Sequence, residues 1–139
     1  MATIRKSSIK DLDNIAEIEN SSFSKPWSIE QLRATISKIF IAEEKKEIKG
    51  FIAIDFILDE VHILHMAVHP DYRRQGIGKL MLRKAFEFPA NKFFLEVRES
   101  NYCAQKLYEG FGFKVISKRK NYYQDNNETA LVMERKATA

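Results

Sequence analysis

The stretch that most constrains this chain is "RRQGIG", Arg73 to Gly78. It joins an apolar run with strand character, "EVHILHMAV", to one with helical character, "KLMLRKAFEF". Two arginines, a glutamine and two glycines in one strand-to-helix turn put charge where side-chain bulk is least. Without side chains at Gly76 and Gly78, backbone N–H groups can approach an anion closely. The helix N-terminus that follows favours negative charge. Two phosphate motifs are excluded. A Walker A loop needs Gly at position 73 and Ser or Thr at 80, where this chain has Arg73 and Leu80. A dinucleotide fingerprint needs a third glycine at 81, which is Met81. An anion-binding turn remains, beside the alternative of a basic surface turn that glycine merely eases.

The rest of the chain alternates strand and helix signals. "TIRK" is a short strand, and "IKDLDNIAEIE" places Ile9, Leu12, Ile15 and Ala16 on one helical face. "WSIEQL" starts a helix, with Ser28 as cap, Gln31 closing a capping box and Trp27 stapling onto Leu32. "IFIAEE", "KGFIAIDFIL" and "EVHILHMAV" are strands, the last two joined by a turn at "LDE". A helix ended by Pro89 and a buried strand "KFFLEV" follow. "NYCAQKLYEGFGF" is a helix with Ala104, Leu107, Tyr108 and Phe111 on one stripe and glycines at its end. "KVISKR" and "TALVMER" are strands around the polar loop "QDNNE". The pattern implies an α/β fold, one domain over residues 1–139, with a mixed sheet of about six to seven strands and about four helices.

Composition narrows the setting. A net charge of +4 suits a small polyanion and is too weak to argue for nucleic acid. One cysteine forms no internal disulfide, and no long apolar run is present, so a cytoplasmic protein without a membrane span is expected.

"VHPDYRRQGIGKLML" resembles the cofactor motif of the GNAT acetyltransferase superfamily. "FFLEVRESNYCAQKLYEGFGF", the following "NYY" and the "PW" at Pro26–Trp27 are similar to its branch that acetylates protein N-termini. The likeness runs from about the first helix to the last strand. His69 stands where the family often has Asp, and the segment between the glycine turn and "LEV" is short by about one helical turn.

The resemblance implies acetyl-coenzyme A as co-substrate and no metal. It assigns Met66, Ala67 and Val68 to the acetyl and pantetheine arm through backbone groups. Arg73, Arg74, Gln75, Gly76, Ile77, Gly78 and Lys79 would hold the pyrophosphate, and Asn101 would touch the cofactor, though it can equally be a helix cap. Glu96 would be the general base and Tyr108 the acid for the leaving thiolate. Pro26–Trp27 and Asn121–Tyr123 would flank the acceptor. That acceptor is expected to be a protein N-terminus, with the N-terminal alanine of a small-subunit ribosomal protein first and broader N-terminal, lysine or small-amine substrates as alternatives. No membrane or direct nucleic-acid partner is expected.

The residues themselves leave plainer readings open. A carboxylate in an apolar strand is costly to bury unpaired, so burial would raise the pKa of Glu96, unless it pairs with Arg98. Tyr108 can be a core tyrosine. His62, His65 and His69 suggest a metal, but no Cys or acidic partner completes a set and two of them alternate across a strand. Cys103 has no His nearby in sequence and reads as a small apolar helix residue. "EGFGFKV" matches the core of an RNA-binding signature at Gly110–Phe113, yet it directly follows a helix and misses the flanking side chains.

Overall fold

The computed structural model describes residues 1–137. Its elements are β1 (Thr3–Lys6), α1 (Leu12–Ser22), α2 (Ile29–Thr35), β2 (Ile39–Glu44), β3 (Glu47–Ile57), β4 (Glu60–Val68), α3 (Ile77–Ala85), β5 (Lys92–Arg98), α4 (Tyr102–Gly110), β6 (Lys114–Arg119) and β7 (Ala130–Lys136). The seven strands form one mixed sheet in the order β1-β2-β3-β4-β5-β7-β6. β4 and β5 are parallel, with Glu60–Ile63 in register with Lys92–Leu95, and the flanking pairs β1–β2, β2–β3, β5–β7 and β6–β7 are antiparallel. Seven strands and four α-helices match the fold class implied by the sequence.

The chain forms two compact units, Met1–Asp55 with Leu64–Glu87, and Phe56–Ile63 with the described residues from Phe88 onward. In the first, α1 turns Leu12, Ile15 and Ile18 into a core with Leu32, Ile39, Ile41, Phe51, Ala53 and Ala67. Each of the Leu, Ile and Phe side chains contributes about 1.5–3 kcal/mol by leaving water. Ile9 stays outside: Ile9–Asp11 form a 3₁₀ turn, which shifts the helical phase and leaves Ile9 exposed. The expected capping box at α2 forms, with Gln31 N–H on Ser28 Oγ at 3.1 Å and Ser28 N–H on Gln31 Oε1 at 2.8 Å. α3 buries Ile77, Met81, Leu82 and Ala85 and ends at Ala85, four residues before Pro89.

In the second unit β5 is one-sided rather than buried throughout. Phe93, Leu95 and Val97 are buried, while Phe94, Glu96 and Arg98 alternate onto the opposite, wetter face. Leu95 lies opposite Met133 of β7, which is fully buried. On α4, Tyr108 is the buried residue and Cys103 is exposed, so the cysteine does not pack as a small apolar group.

Candidate active site

The glycine turn has the geometry that its sequence suggested. Gly76 is the N-cap residue of α3 with φ +80°, and it offers no side chain to the helix's first N–H groups. Arg74 also stands at positive φ, +65°, a strained position for a residue with a side chain. Arg74, Gln75, Gly76 and Lys79 are exposed, whereas Ile77 is buried and anchors the helix. The two arginines differ. Arg73 Nε donates to Val68 O at 3.1 Å and its Nη2 to Ser22 Oγ at 3.2 Å, so this guanidinium ties the end of β4 to the end of α1.

Beside Gly50 of β3 lies the carbonyl of Ala67 on the neighbouring strand β4. A Cβ at Gly50 would stand 2.9 Å from Ala67 O, 3.1 Å from Met81 Cε and 3.2 Å from Ile77 Cγ2. Gly50 therefore lets β3, β4 and α3 close on one another. It carries no motif, and the sequence reading missed it.

In the second unit, Glu96 is exposed rather than buried among its apolar neighbours. Its partner is not Arg98 either. Glu96 accepts from Tyr122 Oη at 3.2 Å and pairs with Arg119 Nε at 3.4 Å. Arg98 turns to Asp125 at 3.0 Å and Glu128 at 3.3 Å, with its guanidinium 4.0 Å from the Tyr123 ring centroid. The alternation that put Glu96 and Arg98 on one face was right, but each found other partners, on β6 and the segment that follows it. Arg119 and Tyr122 thus surround Glu96, and only the "NYY" motif pointed near them.

Tyr108 is buried beside Phe113, ring edge to ring face at 5.9 Å, and burial pushes its hydroxyl up to about 12. It keeps its proton over the physiological range. Burial likewise raises Tyr123 to about 12. Asn101 caps α4, its Oδ1 accepting from Ala104 N–H at 3.1 Å, which is the plainer of its two readings.

The three histidines go separate ways. His62 lies 3.2 Å from Glu60, His69 Nδ1 accepts from Asp71 N–H at 3.1 Å, and His65 Nε2 lies 2.7 Å from Glu19 Oε1. Glu19 is fully buried and was not singled out from the sequence.

Comparison with known proteins shows the family. The model of the acetyltransferase (GNAT) family matches residues 12–113. A [ribosomal protein bS18]-alanine N-acetyltransferase from Haemophilus influenzae is 34% identical over 96% of this chain and 97% of its own length. A Bacillus subtilis relative is 37% identical over 95% of this chain and 93% of its own. The crystal structure of the ribosomal-protein-S18-alanine N-acetyltransferase from Escherichia coli superposes with a TM-score of 0.91 at 30% identity, covering 100% of this chain and 96% of that one. Ard1 from Thermoplasma volcanium superposes with a TM-score of 0.87 at 26% identity, covering 99% of each chain. The chain belongs to the GNAT family of acetyltransferases, and its acetyl donor is acetyl-coenzyme A.

Proposed function

We propose that this protein acetylates the α-amine of a protein N-terminus, and that its acceptor is the N-terminal alanine of ribosomal protein bS18. The observation that carries this reading is the end-to-end match to a relative named for that reaction, at 34% identity.

In this reading the exposed turn Arg74–Gly76 and the first residues of α3, Ile77 to Lys79, hold the pyrophosphate of acetyl-coenzyme A. Arg73 acts differently: engaged with Val68 O and Ser22 Oγ, it braces the turn. Backbone groups of Met66–Val68 hold the acetyl and pantetheine arm, and an N–H near Val68 stabilises the tetrahedral oxyanion. Asn101 caps α4, and the family resemblance makes it a cofactor contact as well. The acceptor's amine attacks the thioester carbon. A C–N bond forms, the C–S bond breaks, Glu96 takes the amine's proton through a water, and Tyr108 gives its proton to the thiolate. Pro26–Trp27 and Asn121–Tyr123 flank the acceptor.

Proton chemistry favours an α-amine over lysine. An α-amine has a pKa of about 7.7–8.0 and lysine one of about 10.4, so at pH 7 roughly a tenth of α-amines are neutral against a few in ten thousand lysines. Glu96 is an exposed carboxylate with Arg119 and Tyr122 around it, and no second carboxylate shares its face of β5. Such a site suits an amine that is already partly neutral.

The test is kcat/KM for a peptide carrying the bS18 N-terminus against the same peptide with its α-amine blocked and a lysine present. Acetylation of the free α-amine and none of the blocked peptide is expected. Equal values would make the protein a lysine acetyltransferase. The same enzyme working in the cytoplasm fits a chain in which no described helix is long and apolar enough to cross a membrane.

A further inference from the structure

The reaction above leaves Glu19 and His65 without a task, although they form the most buried polar cluster of the first unit. Glu19 lies on α1 and is wholly inaccessible. One carboxylate oxygen accepts from Trp27 N–H at 2.8 Å and the other meets His65 Nε2 at 2.7 Å. Two rings stack on the His65 imidazole: Trp27 at 4.2 Å between centroids and 7° between planes, and Phe23 at 4.4 Å and 27°. Phe51 approaches at 5.9 Å.

These contacts converge on the segment between α1 and α2, residues 23–28, which has no helix or strand of its own. Its start is held by Ser22 under Arg73, its end by the Ser28–Gln31 capping box, and its middle by Glu19 and His65. Ser24, Lys25 and Pro26 are exposed, and Trp27 is the residue that both the Glu19 carboxylate and the His65 ring hold. An apolar contact alone would anchor this ring at lower desolvation cost. A buried carboxylate that must receive both an N–H of the segment and the imidazole fixes its direction as well. The anchor on the sheet is His65, and the next residue along β4 is Met66.

We propose that Glu19 and His65 are positioning residues that hold Trp27 in place and thereby set the affinity for the acceptor's first residues. They do so without contact with the acetyl donor. This rests on the reading that Trp27 flanks the acceptor.

The experiment is a double-mutant cycle on His65→Ala and Trp27→Ala, with the bS18 N-terminal peptide as acceptor. Each single variant should raise the acceptor KM by about tenfold. kcat at saturating peptide and the calorimetric Kd for acetyl-coenzyme A should stay within about twofold. The double variant should be no worse than either single one, because His65 acts through Trp27. Glu19→Ala should fall in the same class. Multiplicative effects in the double variant, an unchanged acceptor KM in a folded single variant, or a fall in kcat at constant KM would each overturn the proposal. If His65→Ala does not fold, His65→Gln with Trp27→Phe carries the cycle by the same criteria. A wild-type protein that binds acetyl-coenzyme A yet leaves this peptide unmodified overturns the reading of the acceptor, and the positioning role with it. An active wild type with insensitive variants overturns the positioning role alone.

Discussion

Glu96 holds its place through two partners, Arg119 at the end of β6 and Tyr122 just beyond it. The ion pair is solvated, and such pairs contribute about 0–1 kcal/mol. Glu96→Gln should therefore leave the melting temperature nearly unchanged. If Glu96 is the base, the same substitution lowers turnover by about 10²–10⁴-fold while calorimetric binding of acetyl-coenzyme A persists. Near-normal turnover, measured where chemistry limits the rate, would reject that role. Tyr108→Phe removes one hydroxyl and keeps the ring against Phe113, so it should slow the reaction with packing intact. Because burial holds Tyr108 near 12, an ordinary tyrosine is half ionised near pH 10 while this one still carries its proton. The alkaline limb of the wild-type pH–rate profile should accordingly not begin with Tyr108 below pH ~10.

At the scale of elements, two glycines act for opposite reasons. Gly50 has an ordinary φ but no room, since a Cβ would press on the Ala67 carbonyl of β4. Met81 can swing aside and a strand backbone cannot do so cheaply. Gly50→Ala should cost about 1–3 kcal/mol in urea unfolding and weaken acetyl-coenzyme A binding, because Ala67 lies in the segment assigned to the acetyl arm. Gly76 has space, with nothing within 4 Å of where a Cβ would stand, but its φ of +80° excludes a branched side chain without strain. Gly76→Val should cost about 1–2 kcal/mol and weaken acetyl-coenzyme A binding in calorimetry. Unchanged affinity there would remove the pyrophosphate from this turn.

For the molecule as a whole, acid is the sensitive direction. The Arg5 guanidinium, bonded twice to Asp11 and also to Glu43, holds the Asp11 carboxyl below its usual range. Lys49, helped by the N-terminal amine, brings Glu44 down to about 2. The Ser100 hydroxyl and N–H, with Arg98, lower Glu128. These folded-state values lie below the unfolded ones, so between them the unfolded chain binds more protons and stability rises with pH. The contribution is complete above about pH 4.5 and lost as pH falls toward about 2. Asp11 and Glu44 belong to the first unit and Glu128 to the second, so each unit should loosen over the same range. Calorimetry from pH 7 to 2 should show a melting temperature flat down to about pH 5 and falling below it. A flat profile to about pH 2.5 would reject these pairs as stabilising.

The sequence alone determined whatever depends on neighbours along the chain. Period-2 and period-3.6 patterns placed the strands and helices, Ser28 and Gln31 sit three apart and made their box, and Gly76 needed only its own φ. Local rules were weakest where the phase could slip, as at Ile9, and on short helices, where a few residues define a face loosely and Cys103 turned outward. Only the tertiary structure decided which groups share a space. His65 and Glu19 are 46 residues apart, Arg73 and Ser22 are 51 apart, and Tyr122 reaches Glu96 across 26. A charged or aromatic side chain is compatible with many partners, and its choice follows from strand order and register. Those are fixed by burying the apolar faces together, which no single segment of this sequence specifies.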